Sequence, residues 1–531
     1  MTIEFNLFAP RNEAVELIGS FSDWQGVPME KDETGFFRVQ LELKDGDYQY
    51  KFRIKHQDKW IETNDPYMTE MDRKTQNGIV HIKEGQRILD TFIWQHDDSF
   101  LPDNRDLVLY EMHIADFCNA DPSDPTKFKQ ALEKLDYLSE LGINAIALMP
   151  ITEYAGDYRW GYMPQHFFAL ESSYGKPADF KSFVDECHAR GIRVFIDCIF
   201  NHTHEESPLL LIDRDYWYYH DRHYPEDDAN YWGPELSYEN YDPDRDIRPT
   251  WNYVNAIVQF WTHEYHIDGI RYDAVRQIAN DEFFGWLFEQ VKVPKPFFHI
   301  AEHIPDSSEI CKPQGVFDAC WHESFRYFLT DLLIGKDIDF NEFKSAIAAQ
   351  PQGYAEATSV INYLATHDRE HLIVELQDAG IDDLDRIKLG AMIQFTALGI
   401  PMLWMGDEFG QDTYKTETTT EPNPLDWSLL QKNQPLFDFY KRLIALRHEK
   451  SSLRSDNLEF FHENGKVLAY VRWNEAGERM VVVANFSDQD FENYAIDHFP
   501  ADGTWKDWSD GQEVDPSAID LPSFSAKILL Q

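Results

Sequence analysis

GIRYDAVRQI, residues 269–278, and FFHIAEH, residues 297–303, decide the fold. Asp273 follows the apolar run YHIDGIRY, and Glu302 ends the run KPFFHIAE. Each run reads as a short buried strand, and a helical stretch, roughly Asp281 to Val291, lies between them. Strand, acid, helix, strand, acid is the order in which a parallel βα barrel presents groups at the C-terminal ends of its strands. Two carboxylates facing one pocket are the minimum equipment for cleaving a glycosidic bond.

Working outward, the same texture runs from Leu107 to about residue 449. LVLYEMHI, NAIALMPI and IRVFIDCIF precede the two decisive strands, and GVFDACW, SVINYLAT and IPMLWMG follow them. Amphipathic stretches alternate with these runs: FKQALEKLDYLSELG with its glycine stop, DFKSFVDECHARG, NYVNAIVQFWTHEY, IDDLDRIKLGAMIQFTALG and FDFYKRLIALRHEK. Eight strands alternating with helices predict a (β/α)8 barrel over residues 100–449. The alternation breaks between about 203 and 250, a stretch rich in Tyr, Trp, Asp, His and Pro. A loop this long in a compact domain is usually functional. Before the barrel, residues 1–95 carry short β-branched and aromatic runs (VELIGSFSDW, FFRVQLEL, DYQYKFRI, GIVHIKEG), which predict a β-sandwich. After it, LEFFHEN, KVLAYVRWN, RMVVVANFS and AKILL predict a small antiparallel domain over 452–531. The fold expected is therefore a multidomain α/β chain, a barrel flanked by two β domains.

The formal net charge of −46, from 48 basic and 94 acidic residues, disfavours nucleic acid and anionic membranes as partners. It is compatible with a neutral polymer. No run approaches the roughly 18 apolar residues of a membrane span, and MTIEFNLFAPRNEAVELIG lacks the layout of a signal peptide. A soluble cytoplasmic protein is expected. The five cysteines are scattered and form no CxxC pair, so neither a disulfide framework nor a zinc site is expected.

Four strand ends carry polar sets. IDCIFNHTH brings Asp197, Asn201 and His202 to the barrel mouth, with His202 a candidate donor to a sugar hydroxyl or, more blandly, a tie for the following loop. In RYD, Arg271 and Asp273 face the same way two residues apart, so Arg271 keeps Asp273 ionised or simply pairs with it. Partial burial of Glu302 raises its pKa, as a general acid requires. His299 and His303 flank it, but HIAEH has the wrong order for the helical zinc motif. His367 and Asp368 end the seventh strand, where Asp368 is either a sugar ligand or a helix cap.

In this order, IDCIFNH, GIRYDAV, HIAEH and ATHD resemble the four signature regions of the α-amylase superfamily (glycoside hydrolase family 13). The resemblance implies Asp273 as nucleophile, Glu302 as general acid/base and Asp368 as transition-state stabiliser, with His202, Arg271 and His367 contacting or supporting the sugar. GDYRWGYMPQHFFALESSYG is similar to the WGY-x-P segment of branching enzymes, isoamylases and maltooligosyltrehalose hydrolases, which makes Tyr162, beside Trp160, the platform under the cleaved sugar. PMLWMGDEFGQ followed by NPLDW is similar to the end of the branching-enzyme barrel. The N-terminal piece resembles a glycogen-binding β-sandwich module, with Trp24 and Trp60 as stacking platforms and Lys51 and Asn77 as polar contacts; where such a module packs on its barrel it often binds sugar poorly. Three positions depart from the pattern: Thr366 before His367, Met163 in the WGY segment, and His303 after Glu302.

The resemblance implies a retaining hydrolase cleaving α-1,4 bonds of glycogen- or starch-type glucans or maltooligosaccharides. The alternatives are a branching enzyme, then a maltooligosyltrehalose hydrolase, and remotely a non-catalytic glucan binder. No cofactor is expected for catalysis. Asn201 with Asp213, Asp215, Asp227 and Asp228 offers the oxygen donors calcium prefers, although clustered acids in so acidic a chain are as a rule only solvated.

Overall fold

The computed structural model describes residues 2–531 except 57, 119–120, 122, 157–159, 224–230, 416–421 and 501–502. At its centre eight parallel strands close into a barrel. They are β1 (Leu109–Met112), β2 (Ala145–Leu148), β3 (Arg193–Cys198), β4 (Gly269–Tyr272), β5 (Phe298–Ala301), β6 (Ala319–Trp321), β7 (Val360–Asn362) and β8 (Ile400–Trp404). Pairing of Leu109 with both Ala145 and Met402 closes the ring. These strands are almost wholly buried, because one face fills the barrel and the other lies under helices. Strands buried on both faces read as unbroken apolar runs, which is why all eight are visible in the sequence. Leu109, Phe195, Phe298, Ile300, Ile361 and Ile400 are among the residues that fill the interior.

The helices start and stop where the sequence signals them. Pro177 and Pro249 open Pro177–Ala189 and Pro249–Glu264 in the first turn, where a missing N–H costs nothing. Gly142 ends its helix at φ 99°, a conformation that favours glycine. FKQALEKLDYLSELG differs from expectation. It is two helices, Lys127–Leu132 and Leu135–Leu141, because the Lys134 N–H closes back on Ala131 by a tighter turn.

The excursion after β3 is folded. It contains the helical stretch Pro208–Trp217, kinked at Asp213, and the bridges His202–Glu235 and Tyr218–Leu236 tie it to the barrel mouth. Its outer side meets the N-terminal module. That module is a sandwich of two antiparallel sheets, one holding Thr2–Phe8 and Phe36–Glu42, the other centred on Gly46–His56. Ile212 of the excursion is part of the module's own apolar core. The Arg11 guanidinium grips Asp213 with two bonds of 2.5 Å. A six-stranded antiparallel sheet, beginning at Leu458–Asn464 and including Ser525–Leu530, follows the barrel. No helix among the described residues is long and apolar enough to cross a membrane.

Candidate active site

The site is built around one guanidinium. Arg271 on β4 lies beside Asp197 of β3 in strand register, so both side chains turn to the same end of the barrel. Arg271 Nη1 donates to Asp197 Oδ2 at 2.6 Å and to Asp273 Oδ1 at 2.9 Å, and Nη2 lies 3.9 Å from Glu302 Oε2. The indole of Trp321, at the end of β6, lies 4.3 Å from the guanidinium carbon. Burial alone would lower the Arg271 pKa, but the surrounding carboxylates and the Tyr162 hydroxyl outweigh it, and the group stays charged. One buried cation thus binds two acids directly and reaches a third, which is how the chain tolerates so much negative charge in one place.

Glu302 is locked to β4 through the backbone. Its N–H donates to the Tyr272 carbonyl at 2.9 Å, its carbonyl accepts from Val275 at 3.0 Å, and Oε2 accepts the Ala274 N–H at 2.7 Å. Ala274 achieves this with φ 53°, a left-handed turn immediately after Asp273. Burial raises the pKa of both Asp273 and Glu302, and Arg271 pulls both back. Arg271 acts on Asp273 from 2.9 Å and on Glu302 from 3.9 Å, while the Ala274 N–H favours the charged form of Glu302, so each acid has its own support. The carboxyl side chains of Asp273 and Glu302 are 13% and 16% exposed, so both reach the mouth from a mostly dry setting.

The third acid comes from the end of β7. His367 is sandwiched between carboxylates: Nδ1 is 2.7 Å from Glu111 Oε1 and Nε2 3.2 Å from Asp368 Oδ2. Burial alone would lower its pKa, but the two acids push it up to about 10, so it is an imidazolium. Asp368 answers with a pKa below the usual carboxylate range; burial opposes that shift and His367 drives it. Its side chain is 49% exposed and open to a ligand. The Asp368 N–H donates to Thr366 Oγ1 at 3.2 Å, so the threonine that departs from the family pattern supplies a bond of its own.

Tyr162 completes the floor. Its hydroxyl donates to Asp197 Oδ2 at 2.6 Å, and its ring stacks on His367 at 4.9 Å and 17°. Trp160 meets the same imidazole edge-on at 5.7 Å. The structure therefore brings together Asp273, Glu302, Asp368, Tyr162, Trp160, Arg271 and His367. His202 sits beside them with both ring nitrogens engaged, Nε2 donating to the Tyr162 carbonyl at 2.9 Å and Nδ1 accepting from the Asn201 amide at 3.2 Å. Burial lowers its pKa to about 4, so it is neutral and, in this arrangement, braces Tyr162.

Two groups were invisible to sequence reasoning. Glu111, the one acid in LVLYEMHI, carries His367; a lone carboxylate in an otherwise apolar strand was the available signal. Lys415, from the loop after β8, donates to the carbonyls of Thr366 and Arg369, which bracket His367 and Asp368. Burial lowers its pKa to about 8.

The other candidates lie apart. His299 hydrogen-bonds the Tyr272 hydroxyl at 3.0 Å and stacks on Phe288, and burial holds it neutral with a pKa of about 3. His303 turns to the Pro305 carbonyl. Asp213 is held by Arg11 and Asp215 by His220, Asp227 and Asp228 lie outside the described residues, and no cluster of three His, Cys, Asp or Glu suited to a metal occurs among the described ones. In the N-terminal module Lys51 pairs with Ile18, near the turn that carries Trp24, whereas Trp60 pairs with Lys55 at the far end of the strand. Four residues of strand, roughly 13 Å, separate the two positions. Asn77 is buried and donates to Gln49 Oε1 at 2.9 Å. The amide of Asn64, next to Thr63 that pairs with Phe52, lies 3.4 Å from His166 Nε2, so this part of the module meets the barrel region.

Three domain families match the chain: carbohydrate-binding module 48 (isoamylase N-terminal domain) over residues 1–68, the alpha amylase catalytic domain over 112–251, and the alpha amylase C-terminal all-beta domain over 458–520. A malto-oligosyltrehalose trehalohydrolase of Saccharolobus solfataricus is 26% identical, covering 89% of each chain. A 1,4-alpha-glucan branching enzyme GlgB of Prochlorococcus marinus is also 26% identical, over 95% of this chain and 75% of its own. The fold is similar to that of the Bacillus subtilis type I pullulanase complexed with maltose, with a TM-score of 0.85 at 22% identity, covering 100% of this chain and 84% of that one. Along the chain, an alpha-amylase catalytic domain thus stands between a carbohydrate-binding module 48 and an alpha-amylase C-terminal all-beta domain.

Proposed function

We propose that the protein is a retaining glycoside hydrolase that cleaves α-1,4-glucosidic bonds in glycogen- or starch-type α-glucans. The observation that carries this reading is the single buried guanidinium of Arg271, bonded to Asp273 and within 3.9 Å of Glu302. Its direct bond favours the charged form of Asp273, and in this reading Glu302 holds the proton, the division of labour that two-carboxylate glycoside cleavage needs. Asp273 attacks the anomeric carbon as the glycosidic C–O bond breaks, and Glu302 gives its proton to the leaving oxygen. A glycosyl ester on Asp273 results. Glu302, now a carboxylate, takes a proton from water, which attacks the same carbon and releases Asp273. Asp368, ionised and half-exposed, accepts bonds from sugar hydroxyls, and Tyr162 backs the sugar ring. No cofactor enters these steps.

The second reading is a branching enzyme, in which a glucan 6-hydroxyl replaces water. It is favoured by the GlgB relative that spans 95% of this chain. A third is hydrolysis of malto-oligosyltrehalose, favoured by the relative matched over 89% of both chains. All share the first half-reaction. His303, partly exposed directly after Glu302 where branching enzymes often carry other residues, tips the balance toward water. Incubation with amylose and with maltooligosyltrehalose separates the three. Rising reducing ends from amylose without new α-1,6 bonds supports the hydrolase; new α-1,6 bonds with little reducing power, or trehalose release with amylose untouched, overturns it.

A further inference from the structure

Two buried acids outside the catalytic set meet at the base of the hairpin that carries Tyr162. The strands Thr152–Tyr154 and Pro164–Leu170 follow β2 and pair antiparallel, with Trp160 and Tyr162 between them. Glu153 lies on the first strand and Glu171 directly after the second. They are 3% and 2% exposed, and their carboxyls lie within hydrogen-bonding reach of each other. Each acid also accepts from the other's neighbour. The Ser172 N–H donates to Glu153 Oε2 at 2.8 Å, and the Tyr154 N–H to Glu171 Oε2 at 3.4 Å. The Ser173 N–H adds a bond to Glu171 Oε1 at 2.9 Å.

Among the described residues, the side-chain bonds to these carboxyls come from backbone N–H groups and the Ser172 hydroxyl, and none from a cation. Arg73 of the module acts on Glu171 through its charge alone. His166, opposite Glu153 in the hairpin, is held neutral by burial with a pKa of about 3. The Tyr154 hydroxyl is 3.3 Å from that of Tyr174, which reaches His113 and through it Asp116. Two carboxyls in one dry site cannot both ionise at neutral pH. Burial raises the pKa of Glu171 to about 7; it also raises Glu153, which the Glu171 charge pushes further up.

The base of the hairpin is tied to its tip. The Glu171 N–H donates to the Ile151 carbonyl at 2.8 Å. Pro150, the residue before, carries Gly161: a Cβ on Gly161 would lie 3.0 Å from the Pro150 carbonyl oxygen, and φ is 93°. Tyr162 comes next in the chain, so a shift of the base moves the ring. We propose that Glu153 and Glu171 share a proton and that this clasp makes them positioning residues for the Tyr162 platform. The positioning role rests on the reading of Tyr162 as the floor under the sugar; the shared proton does not.

The test uses the full-length protein and the variants Glu171→Gln, Glu171→Leu and Glu171→Asp. Gln supplies an N–H where the proton was, Leu supplies neither donor nor acceptor, and Asp draws the acid back by one methylene. Glu171 releases its proton near 4.5 when unfolded and near 7 when folded. Wild type should therefore lose stability relative to Glu171→Gln as pH rises from about 5 to 7, by up to about tenfold in folding constant per pH unit, and the difference should level off above 7. Urea unfolding across that range reads it. Parallel pH dependence in the two proteins overturns the shared proton, as does a rise in melting temperature with added calcium that Glu171→Gln abolishes, which would give the pair to a cation. For the platform, kcat/KM on a maltooligosaccharide at pH 6 should fall about tenfold in Glu171→Leu, and in the same direction in Glu171→Asp should Leu fail to fold. Glu171→Gln should stay within about twofold of wild type. Full activity in the Leu and Asp variants, or a Gln variant as poor as they are, overturns the positioning role. Absence of cleavage of any α-glucan by wild type sinks the reading of the active site and leaves the unfolding result standing.

Discussion

Replacing Arg271 with Met tests the electrostatic design of the site most directly. The guanidinium is 4% exposed as a side chain and meets Asp197 at 2.6 Å, Asp273 at 2.9 Å and Glu302 at 3.9 Å. At the effective dielectric of a protein site, two unit charges 4 Å apart interact by about 4 kcal/mol, which corresponds to about 3 in pKa. Asp197 shares the cation, so the rise felt by Asp273 is expected to be smaller, about 1–3 in pKa. The nucleophile then ionises only at higher pH. The acidic limb of kcat/KM should move up by that amount, and at a pH below both limbs activity should fall by about 10- to 1,000-fold, a decade for each pH unit the limb moves.

The assay is the pH profile of kcat/KM on a maltooligosaccharide for wild type, Arg271→Met and Arg271→Lys, with folding checked by circular dichroism. Lysine keeps the charge but not the fork that spans both acids. It should therefore leave the acidic limb near its wild-type position while lowering the plateau. Equal loss of activity at every pH in Arg271→Met, with the limb unmoved, would refute this role. Arg271 would then be a packing residue, held by Trp321, with no part in setting which acid is ionised.

Glu111→Gln removes one flank of His367; breaking such a buried pair costs about 3–5 kcal/mol, measurable by urea unfolding. Because the folded-state pKa of His367 is raised from 6.5 to about 10, its contribution to stability is fully present below pH 6.5 and lost as pH rises through about 10, and in Glu111→Gln that loss should begin at lower pH. Lys415→Met frees the carbonyls of Thr366 and Arg369 and lets the turn bearing Asp368 drift; kcat should fall by about tenfold or more, as misplacement of a positioned group does, while the melting temperature changes little, and an unchanged kcat would remove Lys415 from the site. Thr366→Val deletes the hydroxyl that accepts the Asp368 N–H and should cost about 1 kcal/mol of transition-state stabilisation, read as kcat/KM, whereas Thr366→Ser should restore it.

The barrel was legible because its strands are buried on both faces, so an acid at the end of an apolar run stands out. Asp273 and Glu302 were visible for that reason, and Asp197 and Asp368 by the same logic. The groups that stayed hidden depend on contacts between distant segments. Glu111 and His367 are 256 residues apart, and only the closed barrel puts β1 and β7 on either side of β8. Lys415 lies in a stretch with no periodicity to read. The strand Thr2–Phe8, unread in the sequence, does alternate buried and exposed residues, but its partner, Phe36–Glu42, lies some thirty residues on.

The same distinction explains why the acids speak for bond breaking and say less about the acceptor. Arg271, Asp273 and Glu302 are fixed by strand register and by backbone bonds from Ala274 and Val275, so their chemistry is written into rigid elements. In the proposed reaction the acceptor enters past residues on loops, among them His303 and the excursion after β3, where Tyr231 and Trp232 are exposed and Trp232 lies 5.8 Å from the His202 ring. Water needs no site, whereas a glucan hydroxyl must be held within reach of Glu302 for longer than water takes to attack. A branching enzyme therefore has to exclude water or bind the second chain, and either task demands built surface beyond Glu302. His303 engages the Pro305 carbonyl two residues on, at an edge open to solvent. That open edge is a route for water, in keeping with the proposed hydrolysis.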